Sequence, residues 1–206
     1  MAVADVSPRT QQRPSYPGLD PAMMGMYIFL ASEVMFFGSM FAMYFYLFGS
    51  HPFSWPPPNT VPVNWWPIPF FNTIILLSSG VTCHFALDAV AHDNRRTFFV
   101  LLVATIVLGV LFEAGQVWEF THAHIQFSGL NQFGSAFFTM TGFHGLHVAG
   151  GLIFLTLMLG RALKGNFNAR HHVGFAAATL YWHFVDVVWI FLFGILYVSV
   201  TALPGQ

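Results

Sequence analysis

The chain has 206 residues, of which 56% are hydrophobic, 18% aromatic and only 7% charged. Soluble domains carry about 25% charged residues, so seven basic and eight acidic side chains cannot cover a surface facing water. A formal net charge of -1 excludes a basic nucleic-acid binder, and a single cysteine, Cys83, excludes a disulfide framework and a thiolate zinc site within the chain. Twenty-five phenylalanines argue against a water-filled β-barrel, whose strands alternate apolar with polar. The expected class is an all-α, polytopic membrane bundle, with a mean hydropathy of +0.63.

Residues 1–24 are polar and proline-containing at the start and read as a tail, not a signal peptide. Residues 25–200 read as one membrane domain. Crossing ~30 Å of hydrocarbon takes roughly 20 apolar residues, and five stretches qualify. They are 25–48, 70–91, 97–120, 134–160 and 173–200. The link 51–69 is rich in proline and tryptophan and reads as a stiff interfacial loop. Residues 201–206 read as a short C-terminal tail. No internal repeat is visible.

All seven basic residues fall in three places: Arg9 and Arg13, then Arg95 and Arg96, then Arg161, Lys164 and Arg170. With five spans these places share one side. The positive-inside rule makes that side cytoplasmic, so the N-terminus is expected inside and the C-terminus outside. Trp55, Trp65, Trp66 and Trp118 then fall near the outer interface, as anchors.

Ionisable groups at membrane depth are costly, and default to functional or partnered positions. Counting ~1.5 Å per residue from the span ends gives their depths. Glu33 comes out at roughly 12 Å from the inner end, His84 at roughly 10 Å, His183 at roughly 15 Å and His147 at roughly 20 Å. One inner-half cluster is therefore expected. Glu113 and His144 both come out at roughly 24 Å, a second expected pair. Asp186 follows His183 by three residues and shares its helix face. The competing reading of these imidazoles is plain hydrogen bonding between helices. His144 and His147 at i, i+3 are placed as two metal ligands would be, but no matching pair lies on another span, so no metal is assigned. Span four also carries Ser135, Gly142, Ala149 and Thr156 at seven-residue spacing, with Gly145 and Gly150 nearby. Small residues let membrane helices approach closely, so span four is expected at the centre.

Three runs carry a resemblance: Met26–Phe37 around Glu33, Gly134–Val148 around His144 and His147, and Tyr181–Trp189 around His183 and Asp186. Gly115, Gln116 and Glu119 in span three, and His171-His172 before span five, add to it. In that order the chain resembles subunit III of haem-copper oxidases, in its five-span bacterial form. The resemblance implies a subunit without a catalytic centre or cofactor of its own, in a bacterial cytoplasmic membrane. Haems and copper then sit in partner subunits. Subunit I is the direct neighbour, with subunit II, small subunits, phospholipids and a respiratory supercomplex as further contacts. It implies support of proton uptake and of the stability of subunit I in an aerobic respiratory chain. Glu33 matches the family's carbodiimide-reactive carboxyl, with His147 and His183 as the imidazoles expected near it. Arg161 is a candidate for an anionic lipid headgroup, against ordinary anchoring at the inner face. His92, His171 and His172 are candidates for proton collection at that face, since histidine titrates near neutral pH. Longer members carry two further spans, and a glutamate where Ala176 stands. Neither is carried over.

Other readings are a quinol-oxidising version of the same subunit, a small transporter relaying protons through Glu33, His147, His183 and Asp186, and a haem-binding anchor. The transporter reading lacks inverted repeats and paired broken spans.

Overall fold

The computed structural model describes residues 20–50, 55–56, 67–122, 131–165, 167 and 172–202. Among them all regular structure is helical. The helices are α1 (Pro21–Ser50), α2 (Ile68–Ala91), α3 (Arg95–His122), α4 (Gln132–Leu163) and α5 (Val173–Phe193). A π-helical turn, Gly194–Val198, and a last turn, α6 (Ser199–Ala202), continue α5. The five spans are long and apolar enough to cross a membrane. Hydrocarbon offers no partner to a free N–H or C=O, so each segment closes its own backbone bonds.

The helices outrun the apolar stretches. α1 starts at Pro21, where Asp20 accepts from the Ala22 N–H at 2.8 Å. Proline at the first helical position loses no bond there, and aspartate is a favoured cap. Asn131 caps α4 in the same way, accepting from the Gly134 N–H at 2.9 Å. The tail expected over 1–24 therefore ends at Asp20.

α5 is the hub. Half of its apolar stretch is buried (50%), against 11% for α1. Trp182 explains this. Its ring fills a notch between Gly109 on α3 and Gly151 on α4, where an added Cβ would come within 2.7 Å or 2.8 Å of other side chains. Its Nε1 donates to the Ser79 hydroxyl on α2 at 3.0 Å. One turn pair along, Trp189 Nε1 donates to Thr73 at 2.9 Å. Two indoles thus pin α5 to α2 through hydrogen bonds that lipid cannot replace. Thr82 and Thr105 join α2 to α3 at 2.8 Å.

The expected seam on α4 is out of phase by one residue. The buried positions are Gly134, Thr141, Val148 and Leu155, while Ser135, Gly142, Ala149 and Thr156 are partly or fully exposed. One residue on an α-helix is about 100° of rotation, so the small stripe turns away from the core. Gly151, not that stripe, supplies the close approach, and α5 rather than α4 is central.

α1 packs along a narrow seam of Leu30, Phe37 and Tyr44, spaced by seven. Tyr44 accepts a bond from Trp55 Nε1 at 3.1 Å. Trp55 is buried against Tyr44, Phe48 and Phe133, so it is a packing residue rather than a lipid-facing anchor. Trp118 is exposed, stacked on His122. Trp65 and Trp66 lie outside the described residues.

Candidate functional site

Glu33 on α1 and His147 on α4 meet directly. Glu33 Oε2 lies 2.9 Å from His147 Nε2. The longer α1 puts Glu33 twelve positions past Pro21, roughly 18 Å along the helix. His147 Nδ1 sits 2.7 Å from the Phe143 carbonyl in its own helix. A carbonyl only accepts, so Nδ1 carries a proton, and Nε2 faces the carboxyl. The pair then has two forms: a neutral acid donating to a neutral imidazole, or a carboxylate accepting from an imidazolium. Both are neutral overall and hold one proton between two atoms. Moving that proton creates no net charge, which suits an apolar place.

The surroundings hold this geometry. Phe37 meets the His147 ring edge-on at 4.9 Å, and Phe36 packs on both His147 and Phe143. From α5, Tyr181 donates its hydroxyl to the His147 carbonyl at 3.0 Å. The two side chains are each 17% exposed, so the pair is open to a small reagent from outside the bundle.

His183 is not part of this cluster. It lies on the other side of α5, with its Nδ1 3.6 Å from Asp186 Oδ2 and its ring 6.1 Å from that of His84. The reason is rotation: residue 183 is about 200° round the helix from Tyr181, which faces α4. Depth alone had merged two clusters that α5 separates. Gly80 on α2 makes the second possible, since a Cβ there would collide with the Asp186 carboxylate. Among the described residues no group of three His, Cys, Asp or Glu side chains is placed to hold a metal.

The expected Glu113–His144 pair does not form. His144 is fully buried, stacked on Trp189 at 5.0 Å and edge-on to Phe112. Neither of its ring nitrogens has a hydrogen-bond partner among the described residues, nor has Glu113 Oε2. Glu113 instead lies against Gly145, whose added Cβ would be 3.2 Å from Oε1. Gln116 and Glu119 are buried on the same helix, and Glu119 faces Tyr197 in the π-helical turn.

At the basic end, Arg161 is exposed, with its guanidinium 5.5 Å over the Phe167 ring. Arg95 reaches the Gly165 turn, where an added Cβ would be 3.3 Å from its Nη2. The α2–α3 and α4–α5 links therefore share one end. His92 is exposed and bonds the Asp88 carbonyl at 2.9 Å. His172 starts α5, its carbonyl accepting from Phe175 and Ala176. His171 lies outside the described residues.

Residues passed over in the sequence were Tyr181, Trp182, Gly80 and Gly151. Their only signal was a large aromatic run in α5 facing isolated glycines in its neighbours.

The family model for cytochrome c oxidase subunit III matches residues 17–200. The chain belongs to the cytochrome c oxidase subunit III family. Cytochrome c oxidase subunit 3 of Pongo abelii is 42% identical over 180 residues, covering 84% of this chain and 67% of that protein. The Rhizopus stolonifer protein of the same name is 45% identical over 177 residues, covering 82% and 61%. That of Loxodonta africana is 43% identical over 176 residues, covering 82% and 66%. The chain thus spans about two thirds of the length of these subunit 3 relatives. The family expected from the three motif runs is the family found, and those runs hold Glu33, His147, His183 and Asp186.

Proposed function

We propose that this chain works as the non-redox subunit III of a proton-pumping cytochrome c oxidase. In this reading it packs against subunit I, with subunit II and lipid nearby, and its basic end faces the compartment from which protons are taken. The haems and copper belong to the partner subunits. We place it in a bacterial cytoplasmic membrane, on the resemblance of its motifs; fractionation of the source cells checks that location. The sharing of one end by the Arg95 and Lys164 links supports the assigned orientation.

Glu33 and His147 are the proton-handling pair. The observation that carries this is their 2.9 Å hydrogen bond between two helices of a subunit III chain, with the second imidazole nitrogen satisfied within its own helix. The pair can pass one proton between carboxyl and imidazole with no change of net charge, and a proton lost from it leaves a carboxylate that an imidazole N–H can face. Its partial exposure leaves the carboxyl within reach of an apolar carbodiimide, which attacks the acid form. Arg161 and the exposed His92 are proposed as surface groups, for a lipid headgroup and for proton collection.

The test is Glu33→Gln in the assembled oxidase. Glutamine keeps the hydrogen bond and loses the titration. The account predicts a fall in sustained turnover or in protons pumped per electron, with assembly intact. Wild-type turnover, pumping and inactivation lifetime together would make the pair purely structural.

A further inference from the structure

The Glu33–His147 bond crosses a lightly packed seam of the bundle. Only 11% of the apolar stretch of α1 is buried, so few contacts of its own hold Glu33 in register with α4. A 2.9 Å bond between two helices tolerates little sliding or rotation. The element able to steady both helices is α5, the hub of the bundle.

Tyr181 of α5 reaches both. Its ring centroid lies 6.1 Å from that of Phe29 on α1, at an interplanar angle of 30°. Phe29 precedes Glu33 by four residues and so shares its helix face, one turn before it. The Tyr181 hydroxyl donates to the His147 carbonyl on α4 at 3.0 Å. That carbonyl lies within the helix, and its second lone pair is free to take the tyrosine proton. Tyr181 is only 8% exposed, and hydrocarbon offers its hydroxyl no partner.

Two glycines give the hydroxyl access to the backbone. Side chains on a helix tilt toward its N-terminus, so residues 150 and 151 lie over the turn that carries the carbonyl of 147. At Gly151 an added Cβ would come within 3.1 Å of the tyrosine ring. At Gly150 the tyrosine hydroxyl is the one side-chain atom within 4 Å of an added Cβ among the described residues, at 3.6 Å. The hydroxyl commits its single proton to the backbone, so it acts on the pair through α4 and does not join the proton transfer. Glu33 is near enough for its charge to be felt at that hydroxyl, which sets the bond beside the pair.

We propose that Tyr181 is the positioning residue of the Glu33–His147 pair. It locks α4 through the His147 carbonyl and α1 through Phe29, and Gly150 and Gly151 leave the opening it uses. The functional consequence rests on the proton-handling reading above.

The experiment compares variants in oxidase purified from native membranes. Tyr181→Phe removes the hydroxyl and keeps the ring against Phe29. Trp182→Phe is the matched control, since it removes one interhelical bond from the same helix on its α2 side. Two readouts follow the pair itself. One is the infrared band of the Glu33 carboxyl, identified as the band that Glu33→Gln removes. The other is the rate at which an apolar carbodiimide modifies Glu33, read by mass spectrometry. Tyr181→Phe should shift the band and raise the rate by about threefold, the scale of one interhelical hydrogen bond, since a carboxyl freed from the imidazole is open to attack. Trp182→Phe should lower thermal stability to a similar degree and leave both readouts unchanged. Gly150→Val keeps the tyrosine and sets methyl groups against its hydroxyl. It becomes the deciding variant, with the same expected result, where Tyr181→Phe does not assemble. Unmoved readouts in the deciding variant, or equal changes in Trp182→Phe, overturn the positioning role. Wild-type turnover and pumping in Glu33→Gln, alongside a shifted band in the deciding variant, overturn the proton-handling reading and leave the positioning role standing.

Discussion

Glu33 and His147 illustrate how one proton settles the cost of two ionisable groups in hydrocarbon. Either alone would carry a heavy insertion penalty when charged. Together they are neutral in both of their forms, because Nδ1 is already committed to the Phe143 carbonyl. This makes a sharp prediction about coupling. If the two act as one titrating unit, His147→Gln and Glu33→Gln each remove the whole function, and the double variant is no worse than either single. Losses that add independently would mean the residues serve separate steps. Steady-state turnover and proton-to-electron ratio of the three variants decide between these.

Trp182 and its two glycines make the matching case for packing. Gly151 has no free space, since a Cβ would come within 2.8 Å of the indole. Overpacked cores lose about 1–3 kcal/mol, so Gly151→Leu should lower the thermal midpoint of the purified protein clearly. Gly160, with nothing within 4 Å of an added Cβ, should tolerate alanine. Equal effects at both positions would contradict the notch around Trp182.

At the scale of the helix, α5 carries most of the specific contacts. Tyr181 bonds to α4, Trp182 and Trp189 to α2, and Asp186 faces Gly80. Trp182→Phe keeps the bulk and removes one interhelical bond. Such bonds average ~0.6 kcal/mol in membrane proteins, up to ~1.7, so a small loss of thermal stability is expected. A loss as large as that of Gly151→Leu would show that the hydrogen bond, not the packing, dominates. The helix directions make a further prediction. Cys83 is fully buried, which leaves little background for thiol labelling. Single cysteines at the exposed Arg96 and Lys164 should label from the cytoplasmic side, and one at Ser50 from the opposite side. Labelling of Arg96→Cys and Lys164→Cys from different sides would break the topology.

The same helices show what could be read in advance. Five spans and their order were legible, because length and apolarity decide a membrane crossing. Depth placed Glu33 and His147 in one inner-half cluster but set His84 and His183 nearer to Glu33, so the partner itself was not legible. Nor was the rotational phase. In a soluble helix polar residues mark the outer face, but here exposed and buried positions are both apolar. The α4 seam was thus misplaced by one residue, and His183 was assigned to the wrong side of α5. Helix ends were underestimated because caps such as Asp20 and Asn131 extend a helix past its apolar core. The π-helical turn that carries Tyr197 has no sequence signal beyond Gly194, and nothing packs near that glycine.

Considered whole, the chain is a bundle with more greasy surface than a lone protein in water tolerates. α1 is only lightly held, with large exposed residues such as Met35 (78%) and Tyr46 (75%) along it. Its polar groups include the Glu33–His147 pair on the α1–α4 side and the His183–Asp186 pair on the α2–α5 side. The most direct test is purification of the tagged, unaltered chain from native membranes in mild detergent. The account predicts that haem- and copper-containing subunits come with it in fixed ratio, and that the preparation oxidises cytochrome c with consumption of oxygen. A chain recovered alone, free of haem and without that activity, would contradict it.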